Sequence, residues 1–151
     1  MKHAVRIIAM ALVVVLTLSI FSVALADSES DRISGTKTYT ITTGKKDATL
    51  TVTQSAGKAT VTKWKNVIKK TTKTATESRY GKYYVTVEKV GSGTLNYPYG
   101  SKATFKLEKN STYKVNVTYK GFADQITGSW NPKWKTYPKV KLSVNNSAKI
   151  K

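Results

Sequence analysis

Aromatic and basic residues alternate near the C-terminus of the chain, where two tryptophans lie four residues apart. The group comprises Trp130, Lys133, Trp134, Lys135 and Tyr137. Exposed aromatic faces stack on sugar rings or bases, and neighbouring lysines attract anionic groups toward them. A second pair, Tyr97 and Tyr99, flanks a proline at an expected turn. Both groups are candidate ligand-binding residues, and the alternative is that these rings pack within the fold as large core fillers.

Side chains that perform acid–base or nucleophilic catalysis are scarce in this chain. The one histidine, His3, lies within the first 26 residues, and there is no cysteine. Their absence from the rest excludes Ser-His-Asp and Cys-His catalysis and nearly all zinc sites. Paired carboxylates would remain, but no acid stands in a recognisable motif. We therefore predict a protein that is not an enzyme and uses neither a cofactor nor a metal.

The first 26 residues have the features of a secretory signal peptide. Lys2 and Arg6 give a positive start, and an apolar run follows from Ile7 to Leu18, interrupted only by Thr17. Residues 24–26, Ala-Leu-Ala, offer the small side chains that a signal peptidase needs. The alternative is an uncleaved anchor, because the apolar stretch is about as long as the ~20 residues of a spanning helix. We expect cleavage before residue 27 and a secreted protein that can associate with the cell envelope.

The mature chain is strongly basic. Without Lys2 and Arg6 it has 24 basic residues against 8 acidic ones, a net charge of +16. Such a field attracts polyanions and weakens with salt. The bases are 22 lysines with only Arg32 and Arg79, and lysine is a point charge rather than a planar fork for phosphates or base edges. The predicted partners are an anionic polysaccharide or cell-wall polymer and, as a further candidate, an anionic membrane surface. Sequence-specific binding of nucleic acid is not expected.

Apolar and polar residues alternate along most of the mature chain, which predicts β-strands with one solvated face. The pattern over 113–119 is the clearest, and Gly- and Asn-containing turns separate the runs. We predict an all-β fold, a single antiparallel β-sandwich or small open barrel of about seven strands over residues 36–145. Residues 27–35 are predicted to be a polar tail and residues 146–151 a basic tail. The predicted core consists of Ile41, Leu50, Val52, Val85, Val87, Phe105, Leu107, Val115, Val117, Leu142 and Val144.

Three segments are less regular. The third strand is predicted to begin at Ala59 and to run through a core Trp64 to Ile68. Residues 69–78 are polar and fit either an exposed edge strand or a loop. Residues 120–138 form a long connection that includes a short edge strand at 133–136; long loops of this kind are often functional.

The stretch from Tyr84 to Gly121 resembles the divergent surface repeats of bacterial adhesins related to the internalin B-repeat. Residues 91–95, Gly-Ser-Gly-Thr-Leu, match the Gly-rich turn of those repeats, and residues 99–105 match their middle. Tyr113 and Gly121 match the end. The chain departs from the repeats in having one copy, no downstream sorting signal and more lysine. The resemblance implies an envelope-associated or adhesive role without enzymatic activity.

Three functions are compatible with these features. The first is a secreted, non-catalytic binding module for an anionic envelope polymer or glycan, supported by the charge and the Lys/Thr faces. The second is a membrane-active or pore-forming toxin, which would also need alternating strands but with a continuous apolar outer band. The third is a structural subunit of an extracellular matrix that assembles by strand addition, against which lysine-rich edges argue.

Overall fold

The computed structural model describes residues 26–91, 94–98, 102–124 and 129–151, so residues 1–25 of the predicted signal peptide lie outside these ranges. Its strands are β1 (Asp27–Arg32), β2 (Thr36–Thr42), β3 (Ala48–Ser55), β4 (Gly57–Asn66), β5 (Thr71–Arg79), β6 (Gly81–Lys89), β7 (Thr94–Pro98), β8 (Lys102–Leu107), β9 (Thr112–Phe122), β10 (Ser129–Thr136), β11 (Lys139–Val144) and β12 (Lys149–Ile150). Within the described ranges, no helix is long and apolar enough to cross a membrane.

The strands form three sheets in which every pairing is antiparallel. The four-stranded sheet has the order β1-β11-β3-β8, and the five-stranded sheet has the order β12-β2-β9-β6-β7. A three-stranded sheet has the order β10-β4-β5. The predicted all-β class and antiparallel sandwich are confirmed, with twelve described strands in place of about seven.

The four- and five-stranded sheets enclose one hydrophobic core. All eleven predicted core residues are buried, among them Leu50 and Leu142 from the four-stranded sheet and Ile41 and Val115 from the five-stranded sheet. Their inward positions follow from the two-residue period of a strand, which sends alternate side chains to opposite faces. Burial of each such side chain contributes about 1.5–3 kcal/mol to folding.

The three-stranded sheet continues from one end of this sandwich. Only Ala56 separates β3 from β4, only Tyr80 separates β5 from β6, and two residues separate β10 from β11. At the β3–β4 bend the backbones approach so closely that a Cβ on Gly57 would lie 2.4 Å from the carbonyl oxygen of Thr136 and 2.6 Å from the nitrogen of Pro138. A glycine is therefore needed for the chain to pass from one sheet to the other.

Both predicted tails are wrong, because each forms a strand. Residues 27–32 pair along their whole length with β11, and residues 149–150 pair with β2. The side chain of Ile150 is buried in the core, and the carboxylate of Asp27 accepts a hydrogen bond from the backbone N–H of Ile150 at 2.9 Å. These segments are hard to recognise as strands because their side chains are mostly polar. Edge strands are held mainly by backbone hydrogen bonds, which leave no hydrophobic pattern in the sequence.

The predicted third strand is too long at its C-terminal end. β4 stops at Asn66, and Val67 and Ile68 lie in the turn that leads to β5. Trp64, predicted to be a core residue, is 38% exposed, and it lies one residue beyond the described pairing of β4 with β10, which ends at Lys63. The polar segment 69–78 is largely β5, an edge strand, as one of its two interpretations predicts.

Candidate functional site

Two of the predicted aromatic site residues, Trp134 and Tyr137, lie together where the three-stranded sheet joins the sandwich. Their ring centroids are 5.7 Å apart, and Phe122 stacks on the Trp134 indole at 4.3 Å with an interplanar angle of 17°. Tyr119 meets both rings edge-on, and its hydroxyl accepts a hydrogen bond from the indole Nε1. One face and the only polar atom of the Trp134 ring are thus engaged within the protein.

Tyr83 extends this aromatic cluster toward the core. Tyr83 lies 5.6 Å from Tyr119 between ring centroids, and its hydroxyl donates to the carbonyl oxygen of Ile33 at 3.0 Å. Burial raises the pKa of Tyr83 to about 12 and also raises the pKa of Tyr119. Both phenols are therefore neutral at physiological pH and act as hydrogen-bonding groups of the packed cluster.

The structure describes the other predicted site residues only in part. Lys133 and Lys135 are exposed on β10. The backbone of Trp130 pairs with Thr62, after which a register shift precedes Lys133. Tyr97 pairs with Val85 at the edge of the five-stranded sheet, and Tyr99 lies outside the described residues.

A second candidate site, which the sequence does not reveal, is the outer face of the four-stranded sheet. Cross-strand partners share a face, and the register places Arg32 opposite Lys139, and Lys141 and Lys102 on either side of Thr53. The exposed basic residues of this surface, called the basic face below, are Arg32, Lys102, Lys106, Lys139 and Lys141. Among the described residues, the positions between them hold only Ser and Thr.

The acids of the same sheet are turned to the opposite side. Asp27, Glu29 and Asp31 alternate with the outward residues of β1 and lie opposite the core residues of β11. The carboxylate of Asp31 accepts hydrogen bonds from Lys37 Nζ at 2.6 Å and from the Tyr39 hydroxyl at 2.9 Å. These two hydrogen bonds hold the pKa of Asp31 below its usual value, and the bond from Lys37 has the larger effect. Within the four strands of this sheet, the outward positions therefore hold no acidic residue.

The remaining ion pairs of the described residues involve none of the five bases of the basic face. Glu77 of β5 contacts Lys63 at 2.8 Å and the guanidinium of Arg79, and the hydrogen bonds from these two bases lower its pKa. Glu108 pairs with Lys89. Most lysines among the described residues take no part in these pairs and remain available to an external anion.

The outer side of the five-stranded sheet differs from the basic face in charge and in bonding. Glu88 lies opposite Lys114 there, and Asn116 bonds Thr38 at 2.7 Å and Thr86 at 3.3 Å. Acidic and basic residues are mixed, and several polar groups satisfy one another. This surface provides a natural control for the basic face.

Across the described ranges, no group of three or more His, Cys, Asp or Glu side chains is placed to hold a metal ion. No protein-family model matches the chain, and a search of curated proteins gives no significant match.

Proposed function

We propose that this protein is a secreted, non-catalytic β-domain that binds an anionic envelope polymer or glycan through the basic face. The observation that supports the proposal is the segregation of charge on the four-stranded sheet, with bases outward and acids inward. Segregation of this kind creates a local positive potential that attracts polyanions and falls with ionic strength.

The spacing of the basic face suits a repeating anion better than a single small one. Lys102 and Lys141 belong to strands on either side of β3 and are about 10 Å apart across the sheet. Lys139 and Lys141 are two residues apart on one strand, about 7 Å along it. The hydroxyls of Thr51, Thr53 and Thr104 lie between the bases and can donate hydrogen bonds to phosphate, sulfate or carboxylate oxygens.

The resemblance of residues 84–121 to adhesin surface repeats is in keeping with this role. That segment supplies β8, whose Lys102 and Lys106 form one edge of the basic face. In this proposal the same strand supplies Phe105 and Leu107 to the core and lysines to the ligand.

The test is salt-dependent retention of the purified protein on heparin and on immobilised teichoic acid. The test variant replaces four lysines of the basic face with glutamine: Lys102, Lys106, Lys139 and Lys141. The control variant makes the same change in net charge on the outer side of the five-stranded sheet: Lys82, Lys114, Lys120 and Lys149. We expect the test variant to elute at much lower salt than the control. Equal losses in the two variants would contradict a localised site, and no retention of the parent protein at low salt would refute the function.

A further inference from the structure

The hairpin of β4 and β5 extends beyond its described pairing with β10 as a two-stranded arm. β10 covers β4 only as far as Lys63, whereas β4 and β5 remain paired up to Asn66 and Thr71. Residues 64–72, called the arm below, are all exposed. Within the part of the chain that the structure describes, no third strand pairs with the arm.

Two backbone N–H groups of the turn at the end of the arm are bonded within it, and its apolar side chains are exposed. Asn66 Oδ1 accepts a hydrogen bond from the N–H of Lys69 at 2.9 Å, and the carbonyl oxygen of Val67 accepts one from the N–H of Lys70 at 3.3 Å. Lys70 adopts a φ of +48° to close the turn. As a result Val67 is 72% exposed and Ile68 is 93% exposed.

Positive charge surrounds these two apolar side chains. Lys65, Lys69 and Lys70 are exposed on the arm, and no acid occurs between residues 48 and 76. The nearest acid on β5, Glu77, is already paired with Lys63 and Arg79. None of the ion pairs of the described residues involves the lysines of the arm.

We propose that the arm anchors the protein to an anionic lipid bilayer. Val67 and Ile68 enter the boundary between headgroups and acyl chains, and the three lysines contact the headgroup phosphates while their stems lie along the apolar layer. Insertion requires a turn whose backbone groups are bonded internally, because the acyl region offers no hydrogen-bond partners. The charge of the arm is complementary to a surface rich in anionic lipid, where each nearby lysine strengthens partitioning about fivefold.

This surface is separate from the basic face and does not depend on the proposed polymer binding. The arm belongs to the three-stranded sheet, whereas the basic face belongs to the four-stranded sheet. One molecule could therefore contact a membrane and a wall polymer through different residues.

The first test is co-sedimentation with vesicles of phosphatidylcholine alone or with about one third phosphatidylglycerol. The double variant Val67→Ser/Ile68→Ser is compared with Val90→Ser. Val90 is a suitable control because it is also largely exposed, at 69%, and lies outside the arm, directly after the C-terminal end of β6. We expect the arm variant to bind anionic vesicles at least about tenfold more weakly, and Val90→Ser to bind like the parent. Parent-like binding by the arm variant would overturn the proposal, as would equal binding of the parent to both kinds of vesicle.

The second test locates the point of contact. Because the chain has no cysteine, a single Thr71→Cys next to the turn can carry a polarity-sensitive dye, with Val90→Cys as the distant control. A blue shift and quenching by spin-labelled lipid at the Thr71 label alone are expected; the same response at both labels, or at neither, would overturn the proposal. Heparin elution of the arm variants is measured in parallel, so that a failure of polymer binding is distinguished from a failure of membrane binding.

Discussion

The indole Nε1 of Trp134 donates a hydrogen bond to the hydroxyl of Tyr119 and so connects β10 of the three-stranded sheet with β9 of the five-stranded sheet. Phe122, also on β9, stacks on the indole ring of Trp134 with 4.3 Å between the ring centroids. The two sheets share no backbone pairing between these strands, so the aromatic cluster holds the three-stranded sheet in place against the sandwich.

Trp134→Ala should therefore lower the free energy of unfolding by about 3 kcal/mol, because a half-buried ring and its hydrogen bond are lost together. Lys135→Ala, on the exposed side of the same strand, should change it by less than about 0.5 kcal/mol. Urea denaturation of both variants measures the difference. Unchanged stability in Trp134→Ala combined with weaker binding to a sugar-containing polymer would instead identify Trp134 as a ligand-stacking residue.

Adjacent substitutions on β9 should have opposite consequences. Val115 is fully buried and Lys114 is exposed, so Val115→Asp places an unpaired charge in the core and should unfold the protein. Lys114→Asp should keep the melting temperature within a few degrees of the parent value. Thermal denaturation followed by circular dichroism distinguishes them, and similar melting of the two variants would contradict the observed alternation.

Stability should fall in acid as the paired carboxylates take up protons. The pKa of Asp31 and that of Glu77 are lowered in the folded state by hydrogen bonds from their basic partners. Their contribution is therefore complete above the unfolded pKa of about 4 and is lost as the pH falls through the folded values. Asp31→Asn should reduce stability at pH 7 and make its decline below pH 4 less steep. Glu29→Gln, two residues away, is the control; an unchanged acid profile in Asp31→Asn would contradict the assignment.

Glycine at position 57 should be required for the bend between β3 and β4. A Cβ there would overlap the backbone of Thr136 and Pro138, so Gly57→Ala should cost at least about 2 kcal/mol through displacement of β10. At Gly35 a Cβ would meet nothing within 4 Å, and Gly35→Ala should be neutral or slightly stabilising. Equal effects of the two changes on the urea midpoint would argue against the close approach.

The sequence predicts the core well because alternation is a local property. Leu50, Val85 and Val117 each lie in a run whose neighbours are polar, and all are buried as expected. The same reasoning fails for residues 27–32, whose acids suggest a tail although their backbone completes a sheet. It also fails at Ile68, where an apolar side chain occupies a turn and no periodic pattern marks its exposure.

The basic face shows why a surface site is harder to predict than a core. Each of β8 and β11 displays lysines on one side of its alternation, and this much is readable from the sequence. That Lys102, Lys141 and Arg32 share one surface depends on pairing between residues up to about a hundred positions apart, which only the register of the sheet determines. For a related reason the packing of Trp134 against Tyr119 and Phe122 of β9 is not readable from the sequence.

The pairing of β1 with β11, together with the hydrogen bond from Ile150 to Asp27, sets the order in which the protein can fold. The first strand of the sandwich has no partner until a segment more than a hundred residues later has been made. Loop closure over such a distance is slow, so we expect the pairing of β1 with β11 to form late in folding. Until then the backbone N–H and C=O groups of β1 have no partner strand among the described residues.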